Sequence, residues 1–484
     1  MILALPWISM LTAFALLFVP KENIRLMKQL VLGSCGISSA IVLVLFLKFD
    51  PSKAGYQFLH RWEWIPSMGI TYQVGLDGLN LTLCVLHALV SLAGAFMSFG
   101  EKERMKDYLF FYLILTGAIY GVFTALDIFF LYLFYETTLI PLYPMIGIWG
   151  SKNKEYGAMK LTIFITTGAV LALFGLLAFY HQTGLHTFDL IQIQQQLAMH
   201  PLSRGFQEWL APFLLIGFGV IASLWPLHSW SPIGYAAAPT SVSMLHAGVL
   251  KKMGPYLILR LAVPFLPLGI QRWAAALSVL SCIGIVYAGY AAIRQKDLKF
   301  IIGFSSVSHM GYILLGIAAM NPAALSGAVL LMFSHGVMAA CTFALIGYVY
   351  EQTHAREVSD YGGMAKLVPF WSVCFVMASM ASLGLPGFSN FASELLVFIG
   401  SWQHFPVVVG LAVFGVLVTA IYLLRMVQHV CYGPVSERWP KLRDVKTLSE
   451  KLPFLLLLGG LLLFGFWPNG LLRVIEPAVG ALLK

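Results

Sequence analysis

The sequence predicts an all-α polytopic membrane protein with about fourteen transmembrane helices, two of them broken. Three observations carry this. Of 484 residues, 59% are hydrophobic and 11% are charged, against about 25% charged in a soluble globular domain. Apolar runs recur from end to end, each near the roughly 20 residues that cross a hydrocarbon core about 30 Å thick. The remaining charges gather in short loops between those runs.

The opening MILALPWISMLTAFALLFVP lacks a basic n-region and a small-residue cleavage site. It reads as a first span over 2–20, not a cleaved leader. Spans over 28–48 and 78–99 complete an N-terminal unit, 1–106. Spans over 108–125, 127–149, 157–180, 209–229 and 240–263 form a five-helix block, 107–265. A second block, 266–432, holds spans over 269–292, 298–319, 323–350, 367–403 and 406–431. The last unit, 433–484, is a charged loop and a final span over 453–472. The stretch 367–403 is too long for one simple span and contains LGLPGFSN, so a broken helix is expected. LWPLHSWSPIGYAAAPT, at 224–240, predicts a second break. Irregular backbone at membrane depth is tolerated where it is buried or lines a wet cavity. The breaks fall at similar distances into the two blocks. Five is odd, so the second block runs inverted, and paired breaks in inverted halves point to a transport site.

The loops after odd-numbered spans hold eighteen Lys or Arg, and those after even-numbered spans hold five: Lys48, Lys53, Arg61, Arg204 and Arg272. The positive-inside rule then places the odd loops in the cytoplasm and both termini on the opposite side. The same distribution argues against nucleic acid as the reason for a net charge of +9. Six scattered cysteines form no CxxC pair, and no GxGxxG or Walker loop is present. No iron–sulfur, zinc, disulfide or nucleotide site is expected on this chain.

Few titratable residues remain inside the spans: Glu136, Lys160, Lys251, Lys252, His309, His335 and Glu394, with His228 and His246 as weaker candidates. Asp127, Arg260 and Arg425 lie nearer helix ends, where long side chains reach the interface. An ionisable group at the bilayer centre costs about 2.5–3.5 kcal/mol on insertion scales. One buried histidine is more often a satisfied core group than a carrier. Seven ionisable residues across six helices argue against a purely static role. Acids at both ends with lysines and histidines between them are what a proton path needs. No His/carboxylate pair at ligand spacing suggests a metal.

These residues lie in segments that resemble the M-type antiporter-like subunits of bacterial respiratory complex I, NADH:quinone oxidoreductase, the equivalents of mitochondrial subunit 4. VGLDGLNLTL, HAGVLKKMGPY, FSSVSHMGYILLGI, SHGVMAACTFALIGYVYEQTHAREVSDYGGMAK and ASLGLPGFSNFASELLVFIGSW carry the likeness, which covers nearly the whole chain. The stretch Arg356 to Gly363 separates it from the L and N subunits. The resemblance implies fourteen helices, two inverted five-helix repeats and broken helices seven and twelve. It implies that Glu136 is the helix-five glutamate, Lys160 a helix-six lysine, Lys252 the central helix-eight lysine, His309 and His335 the axial histidines and Glu394 the terminal helix-twelve acid. It implies a proton-translocating membrane-arm subunit without a redox centre, with FMN, iron–sulfur clusters and quinone in partner subunits. Partners would be L-like and N-like antiporter subunits and small membrane subunits within the lipid bilayer.

The sequence departs from that pattern in one region. Where the family carries a helix-seven lysine to pair with the glutamate, this chain has Ile221. Ser223 stands for the following proline, Ile233 and Tyr235 for an Asp and a His, and Ala237 for an acid. Glu136 therefore lacks its expected cation. Lys251, where the family is usually apolar, is the candidate replacement. Adjacent helical residues point about 100° apart, so Lys251 and Lys252 face different neighbours. Two alternatives stand beside the proton pump: a subunit of a multisubunit Na⁺/H⁺ antiporter, and a scaffold subunit with a degenerate uptake half-channel.

Overall fold

The computed structural model describes residues 1–53 and 55–483, which begin with α1 (Ala4–Leu17) and α2 (Ile24–Lys48). An antiparallel hairpin follows, β1 (Gln57–Ile65) and β2 (Ile70–Leu76). Four long helices come next: α3 (Gly78–Met97), α4 (Met105–Thr124), α5 (Ile128–Trp149) and α6 (Lys154–Thr183). The short amphipathic α7 (Leu190–Met199) leads to α8 (Arg204–Ile221) and α9 (Trp230–Ala237). Then come α10 (Thr240–Gly248), α11 (Met253–Leu257) and α12 (Val263–Phe265). The second half contains α13 (Pro267–Arg294), α14 (Leu298–Ala318), α15 (Pro322–Thr353) and the one-turn α16 (Met364–Leu367). It ends with α17 (Pro369–Ser382), α18 (Ser389–Trp402), α19 (Pro406–Cys431), α20 (Leu448–Phe466) and α21 (Asn469–Leu482).

Among the described residues, ten helices are long and apolar enough to cross a membrane: α2 to α6, α13 to α15, α19 and α20. The other four expected spans are short or interrupted. The first, α1, has 14 residues. The span at 209–229 ends at Ile221 and resumes as α9, and 367–403 splits into α17 and α18, both as the Pro/Gly punctuation predicts. The fourth is a correction. Residues 240–263 were expected as one helix, yet α10 gives way to a three-ten turn at Leu250–Lys252, then α11, a π segment at Ile258–Ala262 and α12. Pro255 accounts for the first irregularity. It has no N–H to offer the carbonyl of Lys251 four residues back. The hairpin, α7 and the C-terminal α21 are further elements that the apolar runs did not announce.

Many of the helices start on a short polar cap. Asp77, Asp127, Asp189, Asp297 and Asn321 each accept hydrogen bonds from the first backbone N–H groups of the helix that follows. Such caps satisfy donors that the helix itself leaves unpaired. Isolated backbone bridges join Asp127, ahead of α5, to Asp189, and Asp297, ahead of α14, to Glu357.

The basic loops meet on one face. Lys106 donates to the carbonyls of Leu17 and Val19, Trp149 to that of Glu103, and Arg356 pairs with Asp297 at 3.0 Å. On the other face the hairpin packs against the loops after α4 and α6: Leu126 N donates to Gln73 O, and Arg61 approaches Asp189 at 3.7 Å. At the centre, α15 is buried along the whole of its most apolar stretch. It packs against α14, α10 and α18. Gly248 and Gly336 face each other's backbone where α10 meets α15. Small residues at such a crossing let two helices approach closely. Lys252, just beyond that crossing, and His335 on α15 are both fully buried in the interior.

Candidate functional site

The break between α17 and α18 builds one end of the site. Gly384, at φ +69°, and Gly387, at φ +99°, turn the chain in the left-handed region where a Cβ is disfavoured. A Cβ on Gly384 would meet Glu394 Oε2 at 2.6 Å. The turn therefore both redirects the chain and leaves room for the Glu394 carboxylate on α18. Glu394 is 5% exposed, and its Oε1 lies 3.7 Å from His309 Nε2 on α14.

His309 is held by carbonyls. Its Nδ1 is 2.8 Å from Ser305 O and its Nε2 is 3.1 Å from Ser382 O. Ser382 is the last residue of α17, at the negative end of a half-helix whose final carbonyls have no intrahelical partner. A neutral imidazole has one N–H, and an imidazolium has two. Only the imidazolium can donate to both carbonyls, with Glu394 beside it as counter-ion. The broken helix thus provides a seat for a protonated histidine.

The His335 ring, on α15, stacks on that of His309 with centroids 5.0 Å apart and planes 25° apart. His335 is fully buried, and neither ring nitrogen has a hydrogen-bond partner. The ring can therefore accept or release a proton without breaking an existing bond. Lys252 is also fully buried, and its amine donates to the carbonyl of Ala247. Lys251, equally buried, points elsewhere. Its Nζ lies 3.3 Å from Ser231 Oγ on α9, 3.3 Å from Ser306 Oγ on α14 and 5.4 Å from the Tyr235 ring centroid.

The structure thus gathers Lys251, Lys252, His309, His335 and Glu394 in the interior. It does not gather Glu136 and Lys160. Both are half-buried at the lateral surface of the bundle. Lys160 lies over the rings of Tyr156 and Phe164, at 5.6 and 6.0 Å. Glu136 forms no ion pair among the described residues, with Lys251 or with any other cation. The expected Lys251–Glu136 pairing is therefore corrected: Lys251 is turned to the α9–α14 hydroxyls, and Ile221 is buried as an apolar residue. His246 packs between Trp230 and Tyr235, at 5.3 and 5.2 Å, and His228 lies against Tyr287 at 5.2 Å.

Arg260 and Asp127 were expected to reach the interface, and both are buried. Arg260 forms a bidentate pair with Asp77 at 2.7 and 2.8 Å, and Tyr56 lies 2.7 Å from its Nη1. Asp127 caps α5 and accepts from Thr71 N at 3.0 Å. Lys299, one of the eighteen basic residues assigned to the odd-numbered loops, is buried with its amine 2.8 Å from Ala238 O. The signal that could have placed Asp77 and Asp127 is their position immediately before an apolar run, where a short acid reads as a cap. Nothing in the sequence signals that Arg260 reaches back to Asp77. Among the described residues, no group of three or more His, Cys, Asp or Glu could hold a metal ion, and all six cysteines are free.

Comparison with known proteins places this geometry. Residues 125–420 match the family described as NADH:quinone oxidoreductase/Mrp antiporter, membrane domain. The chain is 35% identical to NADH-quinone oxidoreductase subunit M of Rickettsia conorii over 488 residues, covering 99% of this chain and 97% of that one. It is 34% identical to the subunit of the same name from Rhodobacter capsulatus, covering 94% and 90%. Among solved structures it resembles a chain of respiratory complex I from Thermus thermophilus, with a TM-score of 0.90, 26% identity and full coverage of both. A chain of the Mrp complex from Dietzia sp. shares the fold, with a TM-score of 0.88, 20% identity and coverage of 99% and 97%.

Proposed function

The chain belongs to the NADH:quinone oxidoreductase/Mrp antiporter family of membrane proteins, and on that premise we propose that its buried lysines, histidines and terminal glutamate carry protons. It is a membrane-arm subunit of a complex I-type NADH:quinone oxidoreductase. Its partners are the other membrane-arm subunits. FMN, iron–sulfur clusters and quinone are assigned to partner chains, and this chain moves protons in response to their chemistry.

The observation that carries the reading is the set at the helix break: His335 stacked on His309, and His309 between two carbonyls and Glu394, with Lys252 buried in the same interior. A proton arriving on Lys252 passes to His335, whose nitrogens are free to take it. It passes next to His309, which gains a second carbonyl acceptor on becoming an imidazolium. Glu394 then takes it towards the outlet. Glu136 and Lys160 are read as lateral groups, placed where a neighbouring subunit or lipid would cover them. We read the blocks 107–265 and 266–432 as inverted five-helix repeats within fourteen spans, a reading supported by the matching Asp127–Asp189 and Asp297–Glu357 bridges. The basic loops support a cytoplasmic location for the face bearing Lys106 and Arg356, with both termini opposite.

Gentle detergent purification with identification of the accompanying proteins tests this. Flavin and iron–sulfur proteins with L-like and N-like subunits are expected. Recovery with small antiporter subunits and no redox protein would move the function to Na⁺/H⁺ exchange. In the same membranes, a cysteine in place of Lys441 should react with an impermeant thiol reagent only from the cytoplasmic side. Labelling from outside would reverse the orientation.

A further inference from the structure

Lys251 and Lys252 are neighbours in sequence, but their amines have nothing in common. The three-ten turn at Leu250–Lys252 sets successive side chains about 120° apart. Lys252 folds back onto Ala247 O, while Lys251 bridges Ser231 of α9 and Ser306 of α14. Among the described residues, no carboxylate lies within ion-pair distance of Lys251. Its surroundings are hydroxyls and aromatic rings: Ser231, Ser306, Tyr235 and, packed on Tyr235, His246 with a buried, unpartnered Nδ1.

That chemistry differs from a structural lock. Arg260 is fixed by a carboxylate, which suits the charged form alone. A serine hydroxyl accepts from an ammonium and donates to a neutral amine. The seat of Lys251 therefore accommodates the side chain with or without its extra proton. Ser306 also lies one turn before His309 on α14, an i,i+3 spacing that puts both on one helix face. The neighbouring Ser305 accepts from the Tyr422 hydroxyl at 2.8 Å.

Resting on the proton-carrying reading above, we propose that the relay forks at this helix, with Lys251 serving His309 through Ser306 in parallel with Lys252 serving His335. In the step, the Lys251 ammonium releases one proton to the Ser306 oxygen as that hydroxyl releases its own towards the His309 ring. Lys251 is left a neutral amine, His309 becomes an imidazolium after its previous proton has gone to Glu394, and no electrons move. The branches rejoin because the two histidine rings stack. Two ammonium charges on adjacent residues repel strongly in a low-dielectric interior, so loading one branch favours discharge of the other.

The test uses the assembled complex in sealed vesicles, reading protons translocated per quinone reduced and the amount of intact complex. Lys252→Met should lower translocation on the order of tenfold but leave a measurable residue. Lys251→Met should lower it about twofold, and the double variant should abolish it. A tenfold change corresponds to about 1.4 kcal/mol. Ser306→Ala, which removes no charge, should copy Lys251→Met and covers the case in which that variant fails to assemble. Wild-type translocation in Lys251→Met and Ser306→Ala, with Lys252→Met as severe as the double variant, would overturn the fork and leave the single relay standing. Normal translocation in the double variant would overturn the relay itself.

Discussion

At the scale of single residues, the interior holds two kinds of charge. Arg260 and Asp77 form a bidentate pair with no freedom to exchange, since both partners are satisfied only when ionised. His309, His335, Lys251 and Lys252 sit among carbonyls, hydroxyls and unpartnered space. The first kind holds the fold, and the second is the set proposed to move protons. Composition and spacing made Lys252, His309, His335 and Glu394 visible as buried ionisable groups. They did not reveal direction: Glu136 and Lys160 stand in equally apolar segments, yet they face outwards. Asp77→Asn tests the lock. Asparagine keeps the α3 cap, because it caps about as well as aspartate, but leaves a buried guanidinium unpaired at a cost of about 3–5 kcal/mol. The thermal midpoint of the purified complex should fall by several degrees. An unchanged midpoint would remove Arg260 from the account of stability.

At the scale of elements, the useful features are the interruptions. Pro/Gly clusters announced the breaks after α8 and α17 because those residues act locally and leave a local signature. The distortion of the helix carrying both lysines was less legible. Pro255 removes the hydrogen bond to Lys251 O and accounts for the three-ten turn, but nothing local in the sequence announces the π segment at Ile258–Ala262, within which Arg260 reaches Asp77. The hairpin was missed for a related reason, since its alternation is short and lies between much stronger apolar runs. Gly384→Ala tests the break after α17. A non-glycine residue at φ +69° costs about 1–2 kcal/mol, and the new methyl displaces the Glu394 carboxylate from its position beside His309. The complex should assemble, with coupled quinone reduction reduced on the order of tenfold. Full activity would show that the Glu394 position is not critical.

At the scale of the whole molecule, the apolar runs and loop charges were enough to foresee a bundle with basic loops on one face. Lys106, Arg356 and Asp297 do meet there, and the hairpin closes the opposite face. What the sequence could not convey is that the half-helix α17 ends with the Ser382 carbonyl against His309. The proposed column runs from Lys252 through the stacked histidines to Glu394, with the carboxylate as its outlet. The most direct measurement is proton translocation per quinone reduced in vesicles containing the complex with Glu394→Gln. The amide preserves shape and cannot cycle a proton. Translocation should fall at least severalfold with the complex intact. Translocation at the wild-type ratio would contradict a route through Glu394 and with it the central column.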